Sequence, residues 1–524
     1  MIITDILARN ARMYPEDTAL VEREPEKNRR TEMTWKQFFR QANRVANALV
    51  AAGVKKGDVC AQLMTNCIEW LPIYFGILAS GATAAPMNFR FTESDIQTAN
   101  DLISAKVLVF GPEFIERIRA VKDPLSSSIQ TFVFAGEPSA CPDFAVPLTD
   151  FTAEASPEPP GVPLSLTDPA GLYFTSGTTG TPKCAVITHR NLEFACFLEN
   201  RHHNQTRADN FLCIPPLYHT GAKMHWFGNF IVGAPAVLLK GVTPEYILEA
   251  VSEEGVTVVW LLVPWALDIL FAIESGEVKL RNYDLSRWRL MHIGAQPVPR
   301  SLIREWKSVF PHHQYDTNYG LTETTGPGCV HLGMENEHKV GAIGRPGFDW
   351  EYRIVDDNQV DVPPGTPGEL WVRGPGVMDG YYKNPEATAA VLKNGWLATG
   401  DVARTDEEGF IWLVDRKKDV IITGGENIYP VEIEDFLASH EKIADVAVIG
   451  IPSLRLGEIP AAIIQPKPGR EITKQEIAEF CEVLPRYKRP RRFFFGEVPR
   501  NPTGKIEKPK LREKYAGMKE SFRL

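Results

Sequence analysis

The first half of the chain alternates two hydrophobic periods. Phe38, Phe39, Ala42, Val45, Ala46 and Leu49 recur at helical spacing behind Thr34 and Gln37, which are spaced as a capping box. The run 59–64 then predicts a strand, and the alternation repeats with a helix over 69–78, a strand over 83–87, a helix over 93–103 and a strand over 106–110. Such alternation predicts an α/β fold with largely parallel sheets covered by helices. The segment 154–163, rich in proline, glutamate and serine, reads as a surface connector.

The apolar run 256–273 approaches the length of a membrane span. Pro264 and Asp268 interrupt it, so a buried strand over 256–263, a turn at Pro264 and a helix are predicted instead. Past the strand 410–414, the charged segment from Asp415 to Asp419 reads as a linker. It opens a small unit with a helix over 431–437, strands over 446–450 and 461–464, a helix over 473–483 and a strand over 493–496.

Composition narrows the function. A chain of 524 residues exceeds what one hydrophobic core organises, so at least two domains are expected. A net charge of -9 disfavours a nucleic-acid partner. The eight cysteines show no CxxC pair, and the N-terminus lacks a basic start followed by an apolar run. A reducing, cytoplasmic setting is expected, and homodimerisation is compatible with the sequence.

The most informative segment runs from Thr175 through Ser176, Gly177, Thr178, Thr179, Gly180, Thr181 and Pro182 to Lys183, between two apolar strands. Its hydroxyls and unhindered backbone N–H groups suit phosphate oxygens, with Lys183 adding positive charge. The Walker spacing does not fit it. A Ser/Thr/Gly hairpin loop is the plainer alternative.

With this loop come five further ordered segments: 319–323, 395–401, Asp415 and Arg416, 424–427 and 502–505. Together they resemble the adenylate-forming superfamily of acyl-CoA synthetases, peptide-synthetase adenylation domains and beetle luciferases. The resemblance implies a large N-terminal domain of packed α/β subdomains over 1–417 and a small mobile α+β domain over 418–524, hinged at Lys418. It implies an ATP-dependent acyl-CoA synthetase, most like a stand-alone enzyme, with ATP, Mg²⁺ and coenzyme A as cofactor or co-substrates and a small carboxylic acid as substrate. No carrier domain is expected after the short tail beyond Lys505.

Residue roles follow from the same resemblance. Glu323, with Thr178, holds Mg²⁺, for which a carboxylate is a suitable hard ligand. Thr322 contacts the α-phosphate. Tyr319 lies against adenine, Asn318 reads the adenine amino group, and Gly294, Ala295, Gln296 and Gly320 form the wall between adenine and acyl group. Asp401 and Arg416 hold the ribose, Lys505 bridges carboxylate and α-phosphate, and Gly424 and Gly425 line the pantetheine tunnel.

The acyl group is expected beyond the gate His219, against Trp226, Phe227 and Trp260. No acidic residue lies between Leu217 and Phe230, which disfavours an amino acid substrate. Cyclic, aromatic or medium-chain acids rank first; a carnitine-like acid or dicarboxylate, or transfer to a carrier protein, remains as an alternative, and a non-enzymatic ATP-binding homologue is disfavoured because the catalytic set is complete.

Overall fold

Thr34 caps the helix Trp35–Ala51 as its sequence predicts: Gln37 N donates to Thr34 Oγ1 at 3.3 Å, and Thr34 N donates back to Gln37 Oε1 at 2.8 Å. The structure is a computed structural model that describes residues 1–175, 182–294, 298–416, 418–423, 426–453, 456–486, 488–500 and 505–515.

Among the described residues, a sheet of eight strands runs in the order Gly380–Tyr381, Lys183–Thr188, Pro169–Thr175, Thr83–Pro86, Val59–Leu63, Val107–Phe110, Thr131–Phe134, Val146–Pro147. A sheet of seven runs Gln314–Asp316, Leu290–Gly294, Val258–Leu262, Phe211–Cys213, Ala236–Leu239, Thr18–Glu24, Arg29–Thr34. Its first six strands are parallel. Ligands of such sheets bind beyond the carboxyl ends of the strands. Gly294 and Asp316 stand at two of those ends.

One core joins the two sheets. The helix Trp70–Ala79 contributes residues from almost every side, and the helix Thr220–Phe230 is buried along its whole length, with Lys223, His225 and Asn229 among the residues enclosed. An apolar helix buried all round is ordinary for a core; polar side chains at such depth require partners.

The 256–273 run divides between the strand Val258–Leu262 and the helix Val263–Glu274. The expected intervening turn is missing, because Pro264 sits in the first helical turn, where its lost N–H has no partner to forfeit. Among the described residues no helix is long and apolar enough to cross a membrane.

A third sheet carries the strands Glu351–Val355, Gly368–Arg373, Trp396–Thr405 and Ile411–Arg416. Here Asp415 and Arg416 belong to a strand, not to the linker, since the antiparallel ladder with Trp396–Thr405 extends through them. The smaller C-terminal domain is built on the long hairpin Ile443–Ser453 and Gly457–Pro466, joined by Ile421–Thr423, Glu426–Ile428 and Arg492–Phe495. The hairpin strands outrun their predicted lengths because pairing continues past Pro452 and Pro460. Separate apolar clusters cover the two faces of this sheet, which gives the domain its own core.

Candidate active site

The antiparallel strands Pro169–Thr175 and Lys183–Thr188 bring Thr175 opposite Lys183. Ser176, Gly177, Thr178, Thr179 and Gly180, Ala295 and Gln296, and Gly424 and Gly425, all expected at the site, lie outside the described residues. Lys183 Nζ stands 5.2 Å from the centre of the Tyr381 ring, and Tyr381 Oη donates to Glu323 Oε1 at 2.8 Å. Burial, then the Glu323 charge, hold the Tyr381 phenol protonated. One tyrosine therefore spans the loop lysine and the acidic residue of the second motif. Sequence reading missed it; the strand Gly380–Tyr381, paired with Ala185 and Val186, is too short to announce itself.

Thr322 and Glu323 begin a single 3₁₀ turn, Thr322–Thr324. Before it, Gly320 packs so close that an added Cβ would lie 2.8 Å from the Gly328 Cα. Tyr319 is buried, and its hydroxyl donates to Asp401 Oδ2 at 2.5 Å. Asp401 lies opposite Arg416 in the ladder, so two residues fifteen positions apart become cross-strand neighbours. Together Tyr319, Asp401 and the Arg416 backbone converge on one locus.

Lys505 belongs to the C-terminal domain. It lies near enough to His219 to act on it: burial, then the Lys505 charge, lower the His219 pKa to about 3. The imidazole is therefore neutral at ordinary pH. His219 Nδ1 accepts from Gly221 N at 3.1 Å at the head of the helix Thr220–Phe230, which leaves the ring proton on Nε2. Lys418 is exposed on the segment between the two domains.

The predicted acyl residues divide. Trp226 and Phe227 are buried in the shared core; Trp226 lies 5.1 Å from Phe230, which meets Phe75 at 5.2 Å and Trp35 at 5.9 Å. Trp260 instead stacks on His225, centroids 4.4 Å apart and planes 13° from parallel. Lys223 turns inward. Its Nζ donates to Leu217 O at 3.0 Å and lies 4.5 Å from the Tyr173 ring centre, and burial drives its pKa well below the ordinary value.

Behind His225 lies a polar cluster that no local motif signals. Glu199 and His203, one turn apart on the helix His189–His203, meet Asp316 at the end of its strand. His203 Nδ1 is 3.0 Å from Glu199 and its Nε2 is 2.8 Å from Asp316. Burial alone would lower the His203 pKa, but Glu199, then Asp316, raise it to about 10. Both of its nitrogens thus carry protons toward carboxylates, a buried ion triad closed further by Gly333 N donating to Asp316 Oδ1 at 2.8 Å. The i,i+4 spacing of Glu199 and His203 was the one sequence signal available.

The described residues thus bring together Thr175, Lys183, Tyr381 and Glu323, then Tyr319, Asp401 and Arg416, and then Lys505 and His219. The AMP-binding enzyme family matches residues 7–382, and the AMP-binding enzyme C-terminal domain matches residues 432–505. The chain belongs to the AMP-binding enzyme family. It is 34% identical over 511 residues to the feruloyl-CoA synthase of an Amycolatopsis species, covering 97% of this chain and 98% of that one. It is 33% identical over 520 residues to the indoleacetate–CoA ligase of Aromatoleum aromaticum, covering 98% of each. The crystal structure of the anthranilate CoA ligase AuaEII in complex with anthranoyl-AMP superposes with a TM-score of 0.89 at 27% identity, over 98% of this chain and 97% of that one. The large N-terminal and smaller C-terminal domains of this AMP-binding enzyme match that architecture.

Proposed function

We propose that this AMP-binding enzyme is an acid–thiol ligase that activates an aromatic carboxylic acid with ATP and transfers the acyl group to coenzyme A. The observation that carries the reading is the position of Lys505, from the C-terminal domain, beside His219, which heads the helix bearing Trp226 and Phe227. The aromatic acids in the names of the three relatives support the substrate class.

In the first half-reaction a carboxylate oxygen attacks the α-phosphorus of ATP, the bond to the bridging oxygen breaks, and pyrophosphate leaves. Two anions must approach, so the barrier is largely electrostatic, and fixed cations lower it. Lys505 neutralises the approaching carboxylate and the α-phosphate. Lys183 and the loop 175–183 hold the outer phosphates. Asp401 accepts from ribose hydroxyls, with Arg416 across the ladder, and Tyr319 covers the base. Glu323 is the carboxylate suited to Mg²⁺, whose charge would offset that of the phosphates, with Thr178 as the second proposed contact; the Tyr381 hydroxyl donates to that carboxylate and fixes its position. Tyr381 is a positioning residue.

In the second half-reaction the thiolate of coenzyme A attacks the acyl carbonyl and AMP departs. Lys505 has no part in that step, which supports a boundary at 417/418, a hinge at Lys418 and a thiol path past Gly424 and Gly425. A cytoplasmic location fits the supply of both co-substrates. The test is a panel of aromatic, medium-chain and carnitine-like acids given ATP, Mg²⁺ and coenzyme A. Pyrophosphate, AMP and an acyl thioester should form together, fastest with aromatic acids; thioester formation only on a holo-carrier protein would replace coenzyme A as acceptor.

A further inference from the structure

The orientation of Asn318 follows from its neighbours. His225 Nδ1 donates to Gly221 O, so its Nε2 carries a lone pair and accepts from Asn318 Nδ2 at 2.9 Å. The second proton of the same amide goes to Pro327 O. Reversing the amide would set its oxygen against both a carbonyl and an imidazole lone pair, so the chemistry fixes the flip. The amide oxygen is left over. It has no partner among the described residues, and it faces Gly294: a Cβ at position 294 would lie 3.4 Å from Asn318 Oδ1.

The same position would lie 3.6 Å from Trp260 Nε1. That indole N–H is buried, 3% of Trp260 being exposed, and has no acceptor. The space beside Gly294 is thus flanked by one unused acceptor and one unused donor. The donor's ring is held in place by stacking on His225, and His225 lies against the Glu199–His203–Asp316 triad, with 3.7 Å from its Nε2 to Glu199. A buried indole N–H without a partner costs free energy that a bound group can recover.

The geometry points to a polar subsite in the acyl pocket, formed by Asn318 Oδ1 and Trp260 Nε1, that takes a group able both to donate and to accept a hydrogen bond: a hydroxyl on the ring of the acid. This deepens the aromatic-acid reading and rests on it. A plain hydrocarbon acid would leave both atoms unpaired on binding, and sites built to hydrogen-bond a substrate hydroxyl discriminate strongly against the analogue lacking it. Asn318 then serves the acyl group and not the adenine amino group implied by the family resemblance.

The experiment uses the full chain with saturating ATP, Mg²⁺ and coenzyme A. Benzoates and cinnamates with one ring hydroxyl at each position are compared with the unsubstituted acids by pyrophosphate release. At least one hydroxylated acid should exceed its parent by tenfold or more in kcat/KM, on the order expected for pairing a buried indole N–H and a half-buried amide oxygen. Trp260→Phe, which keeps the ring and removes the N–H, and Asn318→Leu should each shrink that preference at unchanged KM for ATP. Equal rates on hydroxylated and plain acids would overturn the subsite while leaving the ligase intact. An Asn318→Leu enzyme that needs more ATP, with acid preference kept, would return Asn318 to adenine and also overturn it. Failure of every acid to release pyrophosphate would instead defeat the ligase reading.

Discussion

At the end of the site proposed for the nucleotide, Glu323 and Asp401 each take one tyrosine hydroxyl, from Tyr381 and Tyr319, Glu323 on a single 3₁₀ turn and Asp401 within the strand Trp396–Thr405. At the end proposed for the acyl group, His225 and Trp260 rest on a fully buried triad whose members come from one helix and from the end of the strand Gln314–Asp316. The first end joins a turn to a strand distant in sequence, and the proposed mechanism completes it with Lys505. The second is part of the core of the large domain. In the proposed reading, the chemistry common to the family sits on separate local contacts, whereas selection of the acid is tied to the packing that holds the fold together.

Breaking the triad should therefore cost the fold before it costs the chemistry. His203→Gln leaves two buried carboxylates without their cation and should destabilise the protein by about 3–5 kcal/mol, read by chemical denaturation. An unchanged unfolding free energy would mean that the acyl end is not supported as described. The pH dependence has a definite sign. The ordinary pKa of 6.5 is raised to about 10 in the fold, so the stabilisation by His203 is fully present below 6.5 and is lost as pH climbs through 10. Melting curves between those limits should show stability falling with pH in the native enzyme and a flatter profile in the variant.

Lys505→Ala should do the reverse, leaving stability unchanged and slowing adenylation by about 10²–10³-fold, the usual loss for one fixed charge or donor at a reacting oxyanion. Thioester formation from supplied acyl-AMP should persist in that variant; equal loss of both steps would remove the two-conformation mechanism. A smaller effect is expected at Tyr381. Tyr381→Phe removes a hydrogen bond to a carboxylate and should cost about tenfold in rate. The half-saturating Mg²⁺ concentration should rise with it, a change that a mere packing role would not produce.

The same contrast explains what was legible in the sequence. The capping box at Thr34, the alternating elements of the first half and the family to which the ordered motifs point were readable because each signal is local: a spacing, a glycine, a run of hydroxyls. The separate C-terminal domain was readable too, although ladder pairing moved Asp415 and Arg416 out of the linker and into a strand. Tyr381 was not readable, since its role exists only because a two-residue strand pairs beside the loop lysine. Nor was the triad: Glu199, His203 and Asp316 lie in unremarkable segments, and only the packing of the helix His189–His203 against the end of the strand Gln314–Asp316 brings them together. Trp226 and Trp260 looked alike as aromatic candidates for the pocket; burial against Phe230 separates the one from the other's polar setting.

The most direct measurement is exchange of labelled pyrophosphate into ATP, with coenzyme A left out. Reversible formation of an acyl-adenylate predicts label in ATP only when a suitable ring acid is present, with no exchange on ATP and Mg²⁺ alone. Exchange that ignores the acid, or none with any acid while acyl thioester still accumulates when coenzyme A is added, would contradict a pathway through acyl-AMP.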